Sequence, residues 1–183
     1  MRLYRQTVED FGLYAGMELS EQEILRLRDA AGQMSAKMRA VRIVSQTSVS
    51  RKDLEQRLVR KGEDPGQARE AVQWMTDLDL LDDRKTAEQI VDRCIHKGYG
   101  LARAKQALYE KRIPKELWED VLSGYPDQTE YILNYLHGKL SAESDEKDIH
   151  RAVDALIRRG HSYGRIRKVL DSLSFDAEFF PEE

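Results

Sequence analysis

Apolar residues recur along this chain at steps of three and four, the spacing that gathers them on one face of a helix. Leu54/Leu58, Ala68/Ala71/Val72/Met75 and Ala87/Ile90/Val91/Cys94 show it first. Ala104/Ala107/Leu108, Leu117/Val121/Leu122, Ile132/Tyr135/Leu136, Val153/Leu156/Ile157 and Ile166/Val169/Leu170/Leu173 continue it. The polar residues between these faces carry helix-start signals. Ser20 with Glu23 forms a capping box, flanked by Leu19 and Ile24 as a hydrophobic staple, and Ser50/Asp53 and Asp127/Glu130 are expected to form two more. Asp64-Pro65 places an N-cap before a proline at the first helical position, and Pro114 is expected to open the helix after Ile113 in the same way. Only residues 1–14, through Leu3, Tyr4, Val8, Phe11 and Leu13, hint at a strand.

Three of the helix pairs are copies of one pattern. "RLVRKGEDPGQAREAV" at Arg57–Val72 returns as "ALYEKRIPKELWEDVL" at Ala107–Leu122 and as "ALIRRGHSYGRIRKVL" at Ala155–Leu170. A shift of fifty lays Leu58 on Leu108, Lys61 on Lys111, Ala68 on Trp118 and Val72 on Leu122. A shift of ninety-eight lays Leu58 on Leu156, Lys61 on Arg159, Gly62 on Gly160, Ala68 on Ile166 and Val72 on Leu170. A further helix precedes each pair, near 34–46, 84–97 and 127–140. Helices this short are marginal alone and must bury their stripes against neighbours. The expected fold is all-α, with three tandem three-helix repeats forming an elongated, curved, right-angled helix array. The expected divisions are an N-terminal segment and helix over 1–33 (the helix near 20–32), repeats over 34–83, 84–126 and 127–173, and an acidic-aromatic tail over 174–183.

Composition changes this picture in two ways. Hydrophobic residues make up 40% of the 183 and charged residues 34%, so the chain folds behind a heavily charged surface. No apolar run approaches a bilayer span and no leader precedes one, so neither export nor membrane insertion is expected. The single cysteine, Cys94, fits a reducing cytoplasm. The net charge of −3 conceals alternation. Residues 34–62 and 84–115 each carry +6, residues 63–83 carry −6, residues 116–146 carry −7, and residues 147–171 carry +4. Such segregation can lay a basic stripe on an acidic protein, and the stripe decides contact with polyanions.

Candidate catalytic groups resolve into structural ones. Asp82-Asp83 stands where an N-cap belongs, before the helix from Arg84, so capping is the expected role. His96, His137, His150 and His161 have no metal-ligand spacing with Cys94, which itself lies on an apolar face and is expected in the core. "GYG" at Gly98–Gly100 follows a helix rather than a strand and is expected to be a helix–helix turn. Trp74 and Trp118 lie on apolar faces. The expectation is a protein without catalytic activity, metal or cofactor. The basic residues remain. Lys105, Tyr109 and Arg112 are expected to share a face opposite Ala104 and Leu108, flanked by Arg103; two cations around an aromatic suit a nucleic-acid backbone or an acidic protein. Arg57, Arg60 and Lys61 cluster in the first repeat, Lys97 and Lys111 join the second, and Arg158, Arg159, Arg165, Arg167 and Lys168 cluster in the third. For Lys61, Lys111 and Arg159 the alternative is plain: each falls at a helix C-terminus, where a cation offsets the dipole.

The stretch "LLDDRKTAEQIVDR" followed by "KGYGLARAKQALYEKRIP" resembles the signature of the RecX family of bacterial recombination regulators. The matching residues are Leu81, Asp82, Asp83, Ala87, Arg93, Gly98, Gly100, Leu108, Lys111 and Ile113. "SVSRKDLEQRLVRKG" resembles the family's first repeat and "RRGHSYGRIRKVL" its third, so the likeness runs over about residues 20–173. Arg112 stands where the family usually has glycine. The resemblance implies a protein that binds RecA and the RecA–single-stranded DNA filament, restraining ATP hydrolysis, extension and strand exchange. A monomer in the cytoplasm is expected, and the basic stripe makes single- or double-stranded DNA a candidate direct partner. The residues by themselves reach a helical repeat protein with a basic stripe, and two alternatives stay open: a helix-turn-helix regulator of a duplex site, and a helical adaptor with no DNA role.

Overall fold

The structure is a computed structural model describing residues 3–141 and 143–173. The tail over 174–183, with Phe175, Phe179 and Phe180, lies outside the described residues. Every regular element among the described residues is helical, as the periodicity requires. The hint of a strand over residues 1–14 is not realised: α1 (Arg5–Asp10) is a short helix burying Thr7. Side-chain pairs four residues apart favour it, Arg5 Nε to Glu9 Oε1 at 2.8 Å and Gln6 Nε2 to Asp10 Oδ1 at 2.8 Å.

A second correction concerns the boundary expected at residue 33. The helices expected near 20–32 and 34–46 are one continuous helix, α2 (Glu21–Gln46). The Ser20/Glu23 capping box starts it, with both reciprocal hydrogen bonds made. Gly32, the one residue that could break it, costs a helix interior only about 1 kcal/mol. Here it also has a use. A Cβ at Gly32 would overlap the amide of Gln67, which reaches Asp29 Oδ1 at 3.0 Å.

The chain divides between residues 86 and 87 into two compact units, a boundary inside α5 (Asp83–His96). The first unit packs α2 with α3 (Arg51–Arg60) and α4 (Pro65–Asp77). Its core holds Ala36, Ala40, Ile43, Val49, Leu54, Leu58, Ala68, Ala71, Val72, Met75 and Leu81, with Trp74 half-buried against it. Ser50 Oγ accepts the Asp53 N–H at 3.1 Å to start α3. Asp64 accepts from Gly66 and Gln67 to start α4, with Pro65 at its head.

The second unit holds two cores. One, from α5, α6 (Leu101–Glu110) and α7 (Trp118–Leu122), gathers Ala87, Ile90, Val91, Cys94, Ala104, Leu108 and Ile113. The other, from α8 (Thr129–His137), α9 (Glu146–Arg158) and α10 (Tyr163–Ser172), gathers Ile132, Leu136, Leu140, Ile149, Ala152, Val153, Leu156, Ile166, Val169 and Leu170. Two local expectations are revised here. Pro114 is extended (φ −55°, ψ 135°) and opens a 3-10 turn over Lys115–Leu117 before α7, so it caps the element from outside. Asp127 accepts from the Thr129 N–H at 2.9 Å and its hydroxyl at 2.6 Å, closing a local turn in place of the expected box with Glu130.

The recurring break has one geometry in all three copies. Leu58, Leu108 and Leu156 are fully buried, and each carbonyl accepts an N–H five residues on: Glu63 at 3.2 Å, Ile113 at 3.0 Å and His161 at 3.2 Å. Lys61, Lys111 and Arg159 are the C-cap residues, as the pattern implied. The next residue turns left-handed: Gly62 at φ +91°, Arg112 at φ +54° and Gly160 at φ +87°. Glycine suits that conformation because it has no Cβ to clash with the following carbonyl. The break recurs because each pair of helices must turn at the same place to bury both stripes.

Candidate functional site

The Asp82-Asp83 pair does its work in capping, across two helices. Asp82 Oδ1 accepts from the backbone of Arg84 at 2.8 Å and Lys85 at 3.1 Å, and these bonds hold its carboxyl below the ordinary carboxylate range. Asp83 is buried and accepts the Arg51 N–H at 2.7 Å, so it caps the start of α3 rather than its own helix. Cys94 is buried, and desolvation pushes its thiol up. Among the described residues no cluster of His, Cys, Asp and Glu could hold a metal ion, and no helix is long and apolar enough to cross a membrane.

The basic candidates fall into two sets. In the first, the charge is engaged within the fold. Arg57 Nη2 pairs with the buried Asp53 at 2.9 Å. Arg103 Nη1 reaches Glu110 Oε1 at 3.1 Å. Arg159 lies among tyrosines, its guanidinium 5.9 Å from the ring of Tyr99, 5.8 Å from Tyr131 and 5.5 Å from Tyr135, and it donates to the Tyr131 hydroxyl at 2.6 Å. Such a seat neutralises a cation by ring quadrupoles and a hydrogen bond. Arg165 comes within 3.5 Å of Asp127.

The second set faces solvent. Arg60 bonds back to Gln56 O, at 3.3 Å, and Lys61, Lys97, Lys105, Arg158 and Lys168 are exposed. Lys111 and Arg167 are half-buried and belong to neither set. Arg165 and Lys168 line one groove of about 630 Å³ floored by Leu133 and Val169. The expected face of Lys105, Tyr109 and Arg112 is only partly formed. Lys105 and Tyr109 are exposed on α6, but the helix ends at Glu110 and Arg112 sits beyond it in the left-handed turn. Helical periodicity therefore does not carry Arg112 onto that face.

Trp74 and Trp118, on the apolar faces expected of them, are half-buried and each packs against a core. Trp74 lies under the Lys37 ammonium at 5.4 Å, and Trp118 Nε1 donates to Ile113 O at 3.1 Å.

Sequence reasoning missed the joint built around "GYG". Gly98 is left-handed (φ +64°), so the segment is the expected helix–helix turn. It is also a seat within the second unit. Gly100 N–H donates to Arg159 O at 2.9 Å and Ala102 N–H to Gly160 O at 3.3 Å. A Cβ on Gly100 would strike the Gly160 carbonyl, one on Gly98 the Tyr131 ring, and one on Gly160 the Arg103 backbone. His161 is buried there, stacked on Tyr131 with centroids 5.7 Å apart, its Nε2–H donating to Gly98 O at 3.0 Å. Burial first, then the Arg159 and Arg165 charges, lower its pKa, against an upward pull from the Gly98 bond. Tyr125 bonds Tyr99 O through its hydroxyl, and burial pushes that phenol up to about 12. The three glycines were the available signal, since each must admit another backbone or ring.

Comparison with known proteins converges on one family. Residues 82–122 match the model of the second three-helix domain of RecX. Regulatory protein RecX of Clostridioides difficile (strain 630) is 25% identical over 181 residues, spanning 95% of this chain and 85% of that protein. Regulatory protein RecX of Vibrio parahaemolyticus is 27% identical over 153 residues, 79% of this chain and 94% of that one. Among solved structures, a regulatory protein RecX superposes with a TM-score of 0.70 at 19% identity over 92% of this chain and 86% of the other. RecX from Lactobacillus salivarius gives 0.68 at 24% identity, over 80% and 99%.

Proposed function

Because the chain belongs to the RecX family, we propose that it regulates homologous recombination by binding RecA and the RecA–single-stranded DNA filament, without catalysing a reaction of its own. It restrains extension, ATP hydrolysis and strand exchange, acting in the cytoplasm as a monomer. The observation that carries this reading is the motif from Leu81 to Ile113. Its acidic pair and glycines are engaged in capping and close packing, while Lys105 and Tyr109 on the same stretch face solvent. Cations so placed, with Arg60, Arg158 and Lys168, suit a polyanionic filament.

The test is the DNA-dependent ATPase of RecA, with filament length measured beside it. Both should fall as this protein is added. An unchanged ATPase and unchanged filaments at stoichiometric excess would overturn the reading. The salt dependence sharpens it: Lys105→Glu, and separately Lys168→Glu, should bind the filament more weakly and with a shallower salt slope than the parent protein.

A further inference from the structure

Val59 in α3, Tyr109 in α6 and Ile157 in α9 hold the same place in their helices, separated by fifty and then forty-eight residues. Each directly follows the buried leucine of its turn, and each carbonyl accepts the N–H of the left-handed residue: Gly62 at 2.9 Å, Arg112 at 2.9 Å and Gly160 at 2.8 Å. Their backbones are used identically, yet their side chains are exposed, Val59 by 38%, Tyr109 by 70% and Ile157 by 45%. The backbone bond makes no demand on the side chain. A solvated place near a helix end accepts any polar helix former. One exposed apolar residue is ordinary on a protein surface, but the same place filled three times by a large apolar residue is a repeated feature.

The surroundings narrow what would cover these side chains. Exposed cations stand beside all three, Arg60 directly after Val59 and Arg158 directly after Ile157. In the middle copy that place is Glu110, paired with Arg103, and the exposed cation is Lys105, one turn before Tyr109. Two of the three side chains are aliphatic and offer no face for base stacking, so a nucleic acid would use the cations and gain little from the apolar tips. Apolar tips beside cations fit a protein surface with an apolar socket rimmed by carboxylates. Threefold repetition adds a second condition. A partner with one unrepeated surface would use equivalent positions only by coincidence, whereas a row of identical subunits offers the same socket again.

We propose that Val59, Tyr109 and Ile157 are equivalent anchors, each seated in the same acid-rimmed apolar socket on a different subunit of a polymeric protein partner. The inference deepens the proposed function and rests on it, because it takes the partner to be a filament of identical subunits.

The test uses the full chain and RecA filaments on single-stranded DNA. Val59→Gln and Ile157→Gln keep helix propensity and remove the apolar contact. Each should weaken filament binding about fivefold, and the double variant about twenty-five-fold if the anchors act independently. Melting temperatures should match the parent protein, since the side chains are exposed. Tyr109→Leu should retain binding that Tyr109→Gln loses. Full binding by the double variant, with the parent protein bound normally, overturns the anchors and leaves the RecA reading standing. Loss by Tyr109→Leu equal to that by Tyr109→Gln overturns them also, since it means base stacking. A parent protein that binds no filament removes both proposals together.

Discussion

The turns Leu58–Glu63 and Leu156–His161 are the same piece of backbone put to different uses. Both end a helix with a C-cap cation, turn at a left-handed glycine and return an N–H to a buried leucine carbonyl at 3.2 Å. They diverge at the residue after the glycine. Glu63 is buried and pairs with Arg39 at 2.8 Å and Ser35 at 3.0 Å, tying the turn to α2. His161, in the matching place, bonds Gly98 and stacks on Tyr131, tying its turn to the α5–α6 connection. The cations differ likewise: Lys61 is exposed, and Arg159 is enclosed by tyrosines. Each copy thus keeps the turn, while the residue after it decides what the turn joins. In the middle copy Ile113 fills the place with an apolar side chain.

Substituting the two glycines gives the largest contrast. Gly62→Ala meets open space, so only the left-handed strain remains, about 1–2 kcal/mol. Gly160→Ala carries the same strain and drives its Cβ into the Arg103 backbone, which cannot step aside as a side chain can; about 3 kcal/mol or more is expected. Urea unfolding of the two variants measures the difference. Equal losses would mean that the Gly100–Gly160 approach opens in solution.

The cations separate next. Arg159→Leu removes three ring contacts and a hydrogen bond, and should lower stability by about 1–2 kcal/mol. Lys61→Ala should stay within about 0.5 kcal/mol, as surface changes do. Thermal melts of both variants check it, and a matching loss in the two would dissolve the distinction between them. The middle copy offers a gain. Arg112 holds φ +54° without being glycine, so Arg112→Gly should stabilise by about 1 kcal/mol, read as a higher urea midpoint.

The smallest effect is a pH dependence expected from the third copy. His161 has a folded pKa below its ordinary value of 6.5. As pH falls below 6.5 the unfolded chain takes up the proton first, so the stability His161 contributes is full above that value and is lost downward toward the folded pKa. The parent protein should melt lower at pH 5.5 than at pH 7.5, and His161→Gln should narrow that gap. An unchanged gap would assign the dependence to other groups.

How much was legible depends on the range of the interactions. The Ser20/Glu23 box, the Asp64-Pro65 start and the three C-cap cations were readable because each rests on residues within about four positions, where side-chain chemistry meets its own backbone. The repeat was readable for the same reason, since a buried leucine and a turn after it recur at fixed offsets. Expectations failed where local signals were weak or balanced. The boundary expected at residue 33 fell inside α2, which Gly32 weakens without ending. Periodicity alone puts Arg112 on the α6 face, because it does not report where a helix stops.

The sequence by itself therefore determined the helical character of the described residues, the Ser20, Ser50 and Asp64 helix starts, and the threefold turn with its C-cap cations, all products of local hydrogen bonding and the helical period. Only the tertiary structure decided which charges stay available. Arg159 reaches Tyr131 across 28 positions and His161 reaches Gly98 across 63. Asp83 caps a helix whose start lies 32 residues earlier. A cation's partner is set by what folding brings within a few ångströms, and spacing along the chain carries no record of that distance.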